Sequence, residues 1–278
     1  MKRKLFCIVL ALLLLPALSL PARGAAYDGS IHPDLLIPAL KTFFFGAEGD
    51  YSAVNARDNG AVSLGLLQWH GRRALELVRK AVSADPTAAR QHLGQDLCDE
   101  VQSEGANWDR RTLDAAEAAA VSALLSSPAG RRAQDELARA DISVYLDAAW
   151  RAGMRTDATV FYYATIYNQF GVGGAKTYLE HIRAAMGVGE DALFYDLDEL
   201  HAAVHAVTSY GTRHLGQRDK TYAFILSLGW WTTGQTKGAS GSSLQEAPPG
   251  VAEQAATAPE NDIRFRCVRQ RRFYHAVA

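Results

Sequence analysis

Residues 36–69 run LIPALKTFFFGAEGDYSAVNARDNGAVSLGLLQW, and within them the apolar period changes once, from helical to extended. Leu36, Leu40, Phe43 and Ala47 fall on one helical face. Pro38 lies inside that pattern. Having no N–H, it belongs in a first turn, so the spacing predicts a regular helix over 38–47. Beyond it, Tyr51, Val54, Val62, Leu64 and Leu66 flank Asn55-Ala56-Arg57-Asp58-Asn59-Gly60. Asp, Asn and Gly tolerate the positive φ of a tight turn, so 51–67 predicts a short β-hairpin or an extended loop.

Outward from this stretch, apolar residues from Ile31 to Trp231 recur mostly at helical spacing. Further helices are predicted over 70–83, 85–100, 112–125, 130–152, 157–168, 173–186, 190–210 and 215–229. The expected fold class is mainly α, with one small β-hairpin. The run Gly171-Val172-Gly173-Gly174-Ala175-Lys176-Thr177 approaches a phosphate-loop pattern. It lacks that pattern's opening and second glycines and follows a helix, so it predicts a helix stop and restart.

The two ends of the chain differ from this body. Lys2, Arg3 and Lys4 precede an apolar run from Leu5 to Leu15, then Pro16 and a small-residue region to Ala26. That order predicts a signal peptide over 1–26, and the run is too short to span a bilayer. Removing it leaves a body over 27–231 with 25 basic against 30 acidic groups in the mature chain, a net charge of −5. A broadly basic nucleic-acid binder is excluded. Residues 232–262, rich in Thr, Gly, Ser, Ala, Pro and Gln, predict a flexible linker. Residues 263–278 carry five arginines and no acid. This basic tail is suited to contact with an anionic envelope polymer, phospholipid, or the acidic body itself. Export fits Cys98 and Cys267 as a disulfide, with two unpaired thiols as the alternative.

Glu48 closes the first predicted helix, where a negative charge opposes the helix dipole and stabilises nothing. Among apolar neighbours such as Phe44, Phe45 and Trp69 its carboxyl would lose hydration and hold its proton near neutral pH, as a general acid must. Glycosidic bonds need such an acid, and most enzymes that cleave them add a second carboxylate. Asp58, returned by the hairpin, is the candidate partner, though turn chemistry alone also accounts for it. Ser63 and Gln68 could orient water or a sugar amide, or serve only hairpin backbone groups. Gly65 could let a ligand approach the backbone, or mark a bulge. Trp69 and His70 fit either a sugar site or packing at a helix start.

Glu48-Gly49, Asp58, Gly60, Ser63, Gly65 and Gln68 together resemble the lysozyme-like superfamily. Phage-type lysozymes place a Glu at a helix end and an Asp and a Ser or Thr in a hairpin. Soluble lytic transglycosylases follow a similar Glu with Ser-x-Gly-x-x-Gln, as in Ser63-Leu64-Gly65-Leu66-Leu67-Gln68, and carry a later Tyr-Asn pair, as in Tyr167-Asn168. The similar segments are 48–69 and 164–171. The resemblance implies a lysozyme-like helical domain whose hairpin borders a catalytic cleft, with Glu48 as catalytic acid. It implies peptidoglycan as substrate, cut between N-acetylmuramic acid and N-acetylglucosamine, by a secreted or periplasmic protein.

Gly49 stands where transglycosylases usually have a serine, and the spacing to Ser63 is longer than theirs, so hydrolysis and transglycosylation both stay open. A chitosanase-like hydrolase and a non-catalytic wall-binding module are the alternatives. Tyr167 and Asn168 could bind substrate or pack in the core after Phe161-Tyr162-Tyr163. Arg213, Arg218 and Tyr222 could reach substrate carboxylates, but read first as exposed helix residues. His201 and His205 are four apart on a predicted helix and could share a metal ion, but Ala202 stands where His-Glu-x-x-His needs its Glu. Neither a metal nor an organic cofactor is expected.

Overall fold

The computed structural model describes residues 30–207 and 214–228. The predicted signal peptide, linker, basic tail, Arg213 and Cys267 lie outside the described residues. The elements are α1 (Pro33–Ala47), β1 (Val54–Asp58), β2 (Ala61–Leu64), β3 (Trp69–His70), α2 (Arg72–Ala84), α3 (Pro86–Gln102), α4 (Ala115–Ser126), α5 (Pro128–Arg151), α6 (Asp157–Met186), α7 (Leu197–Ala206) and α8 (Leu215–Ser227). The fold is mainly α with a small antiparallel sheet in the order β1-β2-β3. Among the described residues, no helix is long and apolar enough to cross a membrane.

At the centre lies α5, packed against α1, α2, α4 and α6. Its Leu137, Ala138, Ile142, Leu146 and Ala149 are buried, the three-and-four spacing of a core-facing stripe. On α2, Ala74, Leu75, Leu77, Val78, Ala81 and Val82 make a similar stripe. Each leucine so buried contributes about 1.5–3 kcal/mol. Phe43 of α1 meets Phe161 of α6 at 5.8 Å and Phe224 of α8 at 5.3 Å between ring centroids, joining three helices beside the residues around Glu48.

Polar side chains set several helix starts. Asp114 with Glu117 forms a capping box on α4, and the Ser127 hydroxyl accepts from the Gly130 N–H at the start of α5. Asp196 accepts from Asp198 and Glu199 N–H groups, so α7 begins seven positions later than the periodicity predicts. The first helix differs in the other direction: it starts at Pro33, and Pro38 sits inside it. A second proline already occupies the first turn, so Pro38 is accommodated at the cost of one backbone bond. The helices predicted over 157–168 and 173–186 form one element kinked at Gly171, where φ is 65°. The expected stop and restart is therefore a kink.

The hairpin is present. Val54 pairs with Leu64, Asn55 with Ser63 and Asp58 with Ala61, with an irregularity between Asn55 and Asp58. Asn59 and Gly60 both have positive φ, 49° and 88°, as a two-residue turn matching the strands' twist requires. The short β3 then pairs Ser63 with His70 and Leu64 with Trp69.

Candidate active site

Glu48 is the C-cap of α1, and its backbone N–H still donates to Phe44 O at 2.9 Å. The helix thus delivers the side chain at its end rather than along its flank. Burial pushes the Glu48 carboxyl above the ordinary carboxylate value, and the positive charges of Arg218 and Lys220 pull it only partly back. Its electrostatic neighbours also include Tyr145 of α5, whose phenol is raised by burial, then by the charges of Asp141, Tyr167 and Glu48. The Tyr145 ring lies 5.3 Å from that of Tyr167 on α6. Glu48 and Tyr167 therefore share Tyr145 as a neighbour, and Asn168 follows on α6, half-buried.

The expected apolar lining is corrected in part. Phe44 is fully buried, but Phe45 is 48% exposed and its ring meets Tyr51. Trp69 is buried and its Nε1–H donates to Asp141 Oδ2 at 2.8 Å, an oxygen that also accepts from Arg73. Trp69 is thus fastened at the start of α2. His70 Nε2 lies 2.9 Å from the Asp58 carbonyl oxygen.

Gly49 joins Glu48 to the hairpin. A Cβ added there would stand 2.7 Å from Gly65 O and 2.9 Å from Gln68 Nε2, so only a glycine lets the chain after Glu48 lie against this motif. Gln68 Nε2–H donates to Gly65 O at 3.0 Å, so its amide serves the loop backbone. Nearer the turn, the buried Ser63 hydroxyl donates to Asp58 Oδ2 at 2.7 Å. Ser63 holds Asp58, while Gln68 and Gly65 hold the loop against Gly49.

Gln134 of α5, which the sequence reading passes over, clasps this loop from beneath. Fully buried, its Oε1 accepts from Leu66 N–H at 3.0 Å and its Nε2–H groups donate to Tyr51 O at 3.0 Å and Leu125 O at 3.1 Å. Gly65, with φ at 66°, leaves room for it: a Cβ would come within 2.3 Å of Gln134 Oε1. The space at Gly65 is filled by protein.

Arg218 departs furthest from expectation. Read from sequence as exposed, it is 0% exposed, and burial works against its charge. Its two terminal nitrogens donate to Thr165 Oγ1 and Gln169 Oε1, both at 2.8 Å, while Nε has no partner among the described residues. Neither acceptor is a carboxylate, and Glu48 is the carboxyl group whose charge acts on Arg218. Helical spacing could have found it, because Arg218 shares a face with Thr221 and Ile225, both buried. Tyr222, half-buried, donates to Asp198 Oδ1 at 2.6 Å.

Two surface hollows lie elsewhere, one bordered by Arg72, Glu76 and Asn107, the other by Gln91, Asp96 and Ala120. Neither includes Glu48. Comparison of the chain with protein-family models, curated protein sequences and solved structures gives no match.

Proposed function

We propose that this chain is an exported glycosidase of the lysozyme-like kind, cleaving β-1,4 bonds of peptidoglycan with Glu48 as general acid. One observation carries the assignment: a carboxyl at a helix C-terminus, raised by burial and under the electrostatic influence of a buried arginine, next to a glycine packed on Gly65 and Gln68. A carboxyl that keeps its proton can pass it to the leaving glycosidic oxygen. The carboxylate left behind would be costly in a buried setting, and the charges of Arg218 and Lys220 offset that cost. Burial thus favours the protonated form before the bond breaks, and the charges of Arg218 and Lys220 favour the carboxylate formed afterwards.

Asp58 is the candidate second carboxylate. Ser63 holds one of its oxygens, leaving the other to orient water. In an inverting mechanism the two carboxyl groups stand about 6.5–9.5 Å apart with water between them. Tyr167 and Asn168 are proposed to contact the glycan from α6.

The test is digestion of defined peptidoglycan followed by mass spectrometry. Wild-type protein is expected to release disaccharide products; hydrolysis adds water and transglycosylation gives anhydro ends. Glu48→Gln should abolish release while keeping the far-UV spectrum and binding to the glycan. A folded, active E48Q protein overturns the assignment. Wild-type protein that binds peptidoglycan and releases nothing is instead a wall-binding module, and cleavage of chitosan alone moves the substrate to that polymer.

A further inference from the structure

We propose that His201, His205 and Asp219 form a binding site for a divalent transition-metal ion of the Zn2+ class, clipping α7 to α8. Each side chain offers one ligand atom, and the three atoms lie within 4.8 Å of one another. His201 and His205 are one helical turn apart on α7, with ring centroids at 4.6 Å. Asp219 comes from α8. Its Oδ1 lies 2.7 Å from His205 Nε2 and 3.5 Å from His201 Nε2. A His–Asp ion pair needs one imidazole, whereas here two ring nitrogens converge on one carboxylate oxygen.

The spacing suits a tetrahedral ion. With ligand bonds near 2.0–2.2 Å, neighbouring ligand atoms stand about 3.3–3.5 Å apart. The His201–Asp219 distance already fits, His205 and Asp219 need to separate by about 0.6–0.8 Å, and the two imidazole nitrogens lie within 4.8 Å of each other. Both are surface groups, His205 37% and Asp219 55% exposed, so they can move and leave a fourth position for water. Two imidazoles and one carboxylate favour Zn2+, Co2+ or Ni2+ over Mg2+ or Ca2+.

A second observation lies behind the ligands. The buried Tyr162 hydroxyl is 2.8 Å from His201 Nδ1, and Tyr222 stacks on the same imidazole at 4.2 Å with 8° between planes. Metal-bound histidines are commonly oriented in this way, one ring nitrogen occupied and the other aimed at the ion. With Ala202 where a catalytic motif would carry Glu, the role is a structural clip between helices. This site does not depend on the proposed role of Glu48.

The full chain is titrated with Zn2+ by calorimetry, and with Co2+ by visible absorption, alongside His205→Gln, Asp219→Asn and, as a control, His92→Gln. Wild-type and H92Q proteins should bind Zn2+ with equal affinity and show a higher Tm in its presence. H205Q and D219N, whose altered groups are exposed and whose metal-free spectra should match wild type, should bind about tenfold more weakly or worse and lose the Tm shift. The inference is overturned if wild-type protein binds no Zn2+ at about 1 mM. It is equally overturned if both variants keep wild-type affinity, which would place the ion on other histidines or on Cys98.

Discussion

Replacing Gly65 with Ala should destabilise the protein by about 3 kcal/mol, and most of that loss should vanish when Gln134 is removed as well. The first component is local: with φ at 66°, an L-residue at position 65 pays about 1 kcal/mol for the left-handed conformation. The second is the close approach. A Cβ 2.3 Å from Gln134 Oε1 must push the amide away, breaking its bond from Leu66 N–H and leaving buried polar groups unpaired, at about 2 kcal/mol. Gln134→Ala alone removes three hydrogen bonds, two of them buried, and should cost about 3 kcal/mol. In the double variant no amide remains to be displaced, so only the conformational component adds to the Gln134 loss, for a total near 4 kcal/mol. The coupling energy is therefore about −2 kcal/mol. Urea unfolding followed at 222 nm, with free energies extrapolated at constant m, measures each corner of the cycle. Additivity within about 0.5 kcal/mol would refute the clasp.

Three further outcomes follow from the same geometry. A carboxyl raised by burial contributes stability that is fully present below the ordinary carboxylate value and lost as pH rises through the elevated one, so Glu48→Gln should leave the urea midpoint unchanged near pH 3.5 and raise it at pH 8. Equal midpoints at both pH values would show that Glu48 is solvated. Arg218→Gln removes a charge that lowers the Glu48 pKa, so the Glu48 carboxyl carbon, followed by 13C NMR, should titrate at higher pH than in wild type; an unmoved titration refutes the electrostatic coupling. Gly46→Ala meets nothing within 4 Å and should stabilise α1 by roughly 0.5–1 kcal/mol, while Gly49→Ala, with backbone at 2.7 Å, should destabilise by about 2 kcal/mol. Thermal unfolding reads both, and shifts of the same sign would count against the packing of Gly49 on the hairpin.

The elements legible in the sequence are those whose information is local. The hairpin turn needs only Asn59-Gly60, and α2 needs only its apolar stripe. The start of α1 differs from the spacing's expectation because Pro33, not Pro38, occupies its first turn. Glu48 could be singled out from its unfavourable place at a helix end. Gln134, Arg218 and Tyr145 could not be assigned in the same way, since each acts on a segment far off in the chain. Gln134 bonds residues 68 and 83 positions away, and Arg218 bonds Thr165 and Gln169 across 53 and 49. Asp219 likewise completes the histidine pair only once α8 is set against α7. Burial by periodicity would have placed Gln134 and Arg218 inside, but what they bind is a property of the packing.

The same packing accounts for two departures from the transglycosylase-like pattern as one. A glycine follows Glu48 where a serine is usual, and more residues separate Glu48 from Ser63. In the fold, the longer excursion returns so that Gly65 O and Gln68 Nε2 lie against position 49, where a serine Cβ would sit 2.7 and 2.9 Å from them. A longer hairpin therefore forbids the serine, and the glycine lets the hairpin close on α1. If the serine's hydroxyl has a task in the shorter form, another donor must supply it here. Ser63 is already committed to Asp58, and Gln68 to the Gly65 carbonyl. That commitment shifts the weight of polar support from the residue beside Glu48 to the carboxylate across the hairpin, an arrangement suited to activating water. Under the proposed function, the expected products of peptidoglycan digestion are therefore hydrolytic, and anhydro ends would refute the role given to Asp58.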